Sequence, residues 1–202
     1  MGRAADRSRV SGVTELSELT GAIASVTGTL VRSGVPYYIT GSLASSMHAE
    51  FRATNDIDIV ADFGQVDLPA LYAAFAPEFY ADLEQAIDAI RDRTSFNLIH
   101  RTSFLKVDFF PLTSDFNRAA LARAERVTLG ALPDSISIAS CEDILLAKLQ
   151  WYRLGDESSE VQRRDIRGLI ALNRERLDTT YLERWAEELG VQDLLQRFRT
   201  GS

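Results

Sequence analysis
A single cysteine, Cys141, has no partner within the chain. A disulfide framework is therefore excluded, and the composition suits a reducing, cytoplasmic compartment. Two histidines, His48 and His100, are too few for a zinc site of the Cys/His type. No G-x-S-x-G turn is present to support a serine nucleophile. No apolar run approaches the ~20 residues of a membrane span. The opening segment MGRAADRSRVSG has no apolar stretch behind it, so residues 1–12 read as a loose terminus, not a signal peptide. The chain has no internal repeat and no low-complexity segment. With a net charge of −7 over 202 residues, its average field does not attract nucleic acid. Arginines do gather locally, at 118, 123 and 126 and again at 163, 164, 167, 174 and 176. Such groups form either a basic patch or an ordinary solvated helix face.

What is present is a regular alternation of helix and strand signals. Residues 13–33 carry apolar side chains at helical spacing, with Gly34 as the stop. VPYYIT reads as a strand, GSLASSMHAEF as a short helix and DIDIVADF as a second strand. VDLPALYAAFA has Asp67 placed as N-cap and Pro69 in its first turn, and ADLEQAIDAIRDR is a further helix. SFNLIHR and SFLKVDFFPL read as neighbouring strands, DFNRAALARA as a helix, and ERVTLG and SISIA as strands. From SCEDILLAKLQWYRLG onward every signal is helical. Ser140 is the expected N-cap and Gly155 the stop, and three more helices follow. Trp151, Tyr152, Tyr181 and Trp185 fall at helical spacings and read as core. His48 reads as half-buried packing, His100 as facing solvent and Cys141 as a structural thiol. The order of elements predicts an α+β fold. A mixed α/β domain spans 1–138, and a helical C-terminal subdomain of 139–202 packs on it.

The chemistry lies in one anomaly. Aspartate is disfavoured in strands, yet DIDIV places Asp56 and Asp58 two residues apart, on one face of the same strand. Two carboxylates at ~4 Å repel by about 4 kcal/mol at an effective dielectric near 20. A divalent cation removes that cost, and carboxylate oxygen is what Mg²⁺ prefers. In LKVDFF a third carboxylate, Asp108, sits in an apolar strand. If the two strands pair side by side, three carboxylates converge, enough for one or two Mg²⁺ ions that activate a hydroxyl and clamp nucleotide phosphates. Upstream, Gly41-Ser42 opens a helix, whose N–H groups and hydroxyl suit the β- and γ-phosphates of a nucleoside triphosphate.

A Gly-Ser turn, Asp-x-Asp in a strand about a dozen residues on, and a later strand Asp together resemble the signature of the DNA polymerase β-like nucleotidyltransferase superfamily. Its pieces here are Gly41, Ser42, Asp56, Asp58 and Asp108. EFRATNDIDIV followed by CEDILLAKLQWYRLGDESSEVQRRDIRGLI is further similar to AbiEii-type and MenT-like nucleotidyltransferases. In those a helix opening on Glu-Asp carries a lysine, and the next helix carries Arg-Asp; the matching positions are Lys148 and Asp165. The resemblance covers about residues 30–172. It implies the polymerase β-like mixed sheet flanked by helices and Mg²⁺-dependent transfer of NMP from an NTP. It further implies a tRNA acceptor and a role as a toxin in toxin–antitoxin or phage-defence systems, with a cognate antitoxin as partner. On this reading Asp56 and Asp58 bridge metal and triphosphate, and Asp108 completes the metal site and orients or deprotonates the acceptor. Lys148 neutralises the leaving pyrophosphate, and Asp165 fixes Lys148. Arg52, four residues before Asp56, is a candidate for contact with a phosphate or the acceptor. The acceptor stays open between a tRNA 3′ end, a protein hydroxyl and a small molecule such as an aminoglycoside. A catalytically silent nucleotide-binding or interaction protein of the same fold is the alternative. An antitoxin-like regulatory partner is a third reading, without a charge run or amphipathic tail to support it.

Overall fold
Period-two alternation fixes the buried face of each central strand. In β2 (Asp56–Ala61) the side chains of Ile57 and Ile59 are fully withdrawn from water, as are Val107 and Phe109 of β5 (Lys106–Pro111). The computed structural model describes residues 3–49, 54, 56–128 and 135–200, with side chains from residue 17 onward. Among these the fold is mixed α+β, with seven strands and nine helices. Arg52 lies outside the described residues. The contacts divide the chain into two compact units, Met1–Tyr37 with Asn55–Leu112 and Arg126–Ile136, and Tyr38–Thr54 with Thr113–Glu125 and Ser137–Ser202. The sequence suggests one boundary near residue 138. The contacts group the Gly-Ser segment and residues 113–125 with the C-terminal helices.

The first unit opens with α1 (Arg3–Arg32), which ends where Gly34 turns to a φ of +67°. The helix thus includes most of the segment expected to be loose. Once a helix is nucleated, each added residue costs little, and Ala and Arg at its start are good helix formers. β5 pairs with β2 in parallel, and with β4 (Phe96–His100) in antiparallel. Beyond β4 lies β3 (Phe79–Tyr80), a two-residue strand too short to leave a periodic signal in the sequence. α3 (Leu68–Phe75) packs on the apolar face of these strands through aromatic rings. The Phe96 and Phe109 rings stack with centroids 5.3 Å apart, and Phe75 meets Phe79 and Phe109. Asp67 and Asp82 accept backbone N–H bonds at the starts of α3 and α4 (Leu83–Asp92), as N-caps should. His100, expected in solvent, is buried: Phe79 lies against its ring, and its Nδ1 is 2.8 Å from Ser103 Oγ.

In the second unit β1 (Tyr37–Thr40) pairs in parallel with β7 (Ile136–Ile138), Ile39 opposite Ile138. The other elements are α2 (Gly41–His48), α5 (Asp115–Arg123), α6 (Cys141–Leu154), α7 (Glu160–Asn173), α8 (Thr179–Glu188) and α9 (Gln192–Thr200). β6 (Glu125–Val127) falls at the division between the units. α2 packs against α6 and α7, and α8 against α6 and α9. Asn173 ties α7 to the end of α2, its Nδ2 donating to the carbonyls of His48 (2.8 Å) and Leu169 (2.9 Å). His48 Nε2 donates to the Ala139 carbonyl at 3.0 Å, and because a carbonyl only accepts, this contact places a proton on Nε2. Trp185 is core, packed on Phe116. Trp151, expected in the core, is 55% exposed: buried Tyr152 and Leu149 take the inward positions of that turn, and the next residue round the helix faces water. No helix among the described residues is long and apolar enough to cross a membrane.

Candidate functional site
Strand register brings the three aspartates to one sheet face. Asp58 stands opposite Asp108 in the parallel β2–β5 pair, with Asp56 two residues before Asp58. Neighbouring strands lie about 4.8 Å apart, and like charges directly opposite are unfavourable. The opposite face takes Ile57, Ile59, Val107 and Phe109 into the core, so the carboxylates cannot turn inward. A slip of one residue would reverse both faces at once.

Two further side chains share the carboxylate face. Lys106 stands opposite Asp56, and its Nζ is 2.8 Å from Asp108 Oδ1. That bond, with the attraction of Asp108 and then of Asp56 and Asp58, raises the lysine's pKa above its ordinary value despite some desolvation. Asn97 of β4 stands opposite Asp108 on the other side of β5. The sequence reading missed both. The signal for Lys106 was available, since it lies two residues before Asp108 and so on the same face. Asn97 needed the antiparallel register.

The donor chemistry fits a divalent cation. Three carboxylates share a half-exposed face, where a hard ion keeps some of its water. As the side chains stand, however, no three Asp, Glu, His or Cys groups converge closely enough to hold a metal among the described residues. Asp108 faces the Lys106 ammonium instead.

The remaining expected site residues belong to the second unit. Gly41 has a φ of +66°, a backbone that an L side chain resists, and it turns the chain from β1 into α2. Thr40 makes no side-chain cap there, and the first turn of α2 carries no acidic residue. Gly41 and Ser42 are the first two residues of α2, and helix starts are where backbone N–H groups can receive an anion. α6 and α7, on which α2 packs, carry Lys148 and Asp165. These two form an ion pair at 2.8 Å, and Lys148 also donates to Gln162 Oε1 at 3.3 Å. Both are largely buried, so Lys148 does not snorkel from a helix flank and the pair is not a surface one.

A second polar cluster lies at the start of α6. Ser140 Oγ and Tyr181 Oη each donate to Asp143 at 2.6 Å, and Ser140 receives the Asp143 N–H at 3.2 Å. Arg123 lies over the Tyr181 ring at 4.0 Å and bonds Glu142 at 3.3 Å, while Glu142 accepts the Asp178 N–H at 2.8 Å. Burial raises the Asp143 pKa, against the lowering effect of Ser140, Tyr181 and Arg123. Burial likewise pushes Tyr181 upward, helped by its bond to Asp143. These bonds join α5, α6 and α8, and among the described residues the buried Arg123 Nε has no hydrogen-bond partner.

Comparison with family profiles gives no match, and neither does comparison with curated proteins. Solved structures do match. An antigenic nucleotidyltransferase-like protein from Paracoccidioides brasiliensis superposes with a TM-score of 0.53 at 21% identity, over 91% of this chain and 93% of that one. The antibiotic-resistance factor ANT(2″)-Ia in solution gives 0.53 at 15% identity, over 92% and 94% of the two chains. Its crystal structure in complex with adenylyl-2″-tobramycin gives 0.52 at 16%, over 91% and 98%. The fold is therefore that of nucleotidyltransferase structures.

Proposed function
We propose that this chain is a Mg²⁺-dependent nucleotidyltransferase that moves a nucleoside monophosphate from a nucleoside triphosphate to an acceptor hydroxyl. The observation that carries this reading is the register of Asp58 with Asp108 on adjacent parallel strands, with Asp56 on the same face. Uncompensated, such a triad is repulsive. Within a nucleotidyltransferase fold it has a chemical use.

Asp56, Asp58 and Asp108 are the residues that would hold the metal, which when bound polarises phosphate and makes a hydroxyl more acidic. Asp108 would accept the acceptor's proton. The new bond joins the acceptor oxygen to the α-phosphorus, and the bond from that phosphorus to pyrophosphate breaks. The Gly41 and Ser42 N–H groups receive phosphate oxygens. Lys148 bears on the leaving pyrophosphate as a fixed positive charge, and the buried ion pair with Asp165 supports the fixing role given to Asp165.

For the acceptor, the likeness to a protein solved with adenylyl-2″-tobramycin favours a small-molecule hydroxyl. A tRNA acceptor and a toxin role with a cognate antitoxin rest on the AbiEii-type and MenT-like resemblance of the Lys148 and Asp165 segments. One observation favours a second reading, a catalytically silent nucleotide-binding protein: Asp108 is held by Lys106, and no three metal-ligand side chains converge among the described residues.

The test is label transfer. The protein is incubated with Mg²⁺ and each α-labelled NTP in turn, with total tRNA, with an aminoglycoside panel or alone, beside Asp58→Ala. Transfer that falls at least about a hundredfold in Asp58→Ala establishes the enzyme and names nucleotide and acceptor class. NTP binding without transfer to any acceptor favours the silent protein.

A further inference from the structure
The carboxylate face carries its own cation. Among the described residues of the β2–β5 pair, four ionisable groups on this face form two register pairs, Asp56 opposite Lys106 and Asp58 opposite Asp108. Three are acidic and one is basic, and the Lys106 ammonium lies 2.8 Å from Asp108 Oδ1. The lysine side chain is 42% exposed, against 18% for the aspartate. A four-carbon stem at that exposure can move its head into water at little cost.

We propose that Lys106 is a displaceable counter-ion of this face, holding Asp108 when no divalent cation is bound and weakening the face's affinity for such a cation. The proposal rests on the reading above that these carboxylates hold a metal. An ammonium and a small divalent ion compete for the same carboxylate oxygen, since Mg²⁺ needs that oxygen at about 2.1 Å in a near-octahedral set. Two positive charges at that range repel, so the lysine must leave for the ion to bind. Asp108 Oδ1 is engaged by β5's own lysine.

Mn²⁺ serves as the probe, its binding read by electron paramagnetic resonance at low ionic strength, with melting temperature measured alongside. Lys106→Met is expected to bind Mn²⁺ roughly three- to tenfold more tightly than the wild type. Without metal it should melt lower, because Asp108 loses its ammonium partner. Saturating Mn²⁺ should then raise its melting temperature more than that of the wild type. Lys106→Arg keeps the charge in a fork that grips a carboxylate more firmly, so it should bind Mn²⁺ more weakly than the wild type; this variant carries the test if Lys106→Met does not fold. Asp58→Asn should lose affinity. Equal or weaker Mn²⁺ binding by folded Lys106→Met overturns the proposal while the metal reading stands, provided Asp58→Asn still loses affinity. Absence of Mn²⁺ binding in the wild type and Lys106→Met alike overturns both. Binding by Lys106→Met alone supports the proposal in its strongest form.

Discussion

The Nζ of Lys148 lies 2.8 Å from Oδ2 of Asp165, with only 5% and 11% of the two side chains exposed. The pair joins α6 to α7, and Gln162 accepts a second Lys148 hydrogen. Removing one partner of a buried pair strands the other charge, at a cost of about 3–5 kcal/mol. Asp165→Ala should therefore lose about that much in urea unfolding. The double variant Lys148→Met/Asp165→Leu should lose much less, because no charge is left unpaired. If that variant folds and still transfers label at the wild-type rate, neither residue belongs to the reaction.

Asp143 gives stability an acid-side signature. Burial raises its folded pKa above an unfolded value of about 3.9, so above that value the folded state binds more protons than the unfolded one. Stability from this group is then fully present below the unfolded pKa and declines as pH rises through the folded one. Subtracting the Asp143→Asn curve from the wild-type curve of unfolding free energy against pH should leave a difference that falls with rising pH. A difference that rises would contradict the burial argument.

Tyr181→Phe removes a 2.6 Å bond to a buried carboxylate. Hydrogen bonds to charged groups contribute about 1.5–3 kcal/mol. A loss in that range is expected at neutral pH, and a smaller one in acid, where Asp143 is protonated and accepts less strongly. Chemical denaturation at the two pH values provides the comparison.

Burial pushes the Cys141 thiol up to about 12, with Glu142 and Glu125 adding to the effect. The nucleophile in alkylation is the thiolate, and the side chain is buried. Native protein at pH 8 should react with iodoacetamide far more slowly than a free thiol, with full labelling once urea unfolds it. Rapid native labelling would show that the start of α6 opens.

Phe109 lies directly behind Asp108, fully buried, its ring stacked on Phe96 and edge-on to Phe63. Phe109→Ala should cost about 3–5 kcal/mol in unfolding free energy. If the variant folds, its Mn²⁺ affinity should also fall, because β5 loses the packing that sets the height of its carboxylate. Unchanged affinity would show that backbone register alone places Asp108.

Much of this protein was legible in one dimension because its signals are local. Caps at Asp67 and Ser140 act on backbone groups within three residues, and each is found in place. The two-residue period put Asp56 and Asp58 on one face before any partner strand was known. Other features depend on what lies across space. β3 exists because β4 offers it an edge, not because Phe79-Tyr80 has a pattern. His100 is buried by Phe79, and Trp151 is exposed because its neighbours fill the core. The same spacing rule serves a residue inside or outside, and only packing chooses. The sequence by itself determined the element types, their caps and the candidate carboxylates. Tertiary structure alone decided that Asp58 faces Asp108, that Lys106 holds Asp108 and that Lys148 is buried against Asp165. Those are pairings between segments far apart in the chain or choices among side-chain partners, and their energies come from register, burial and charge at close range.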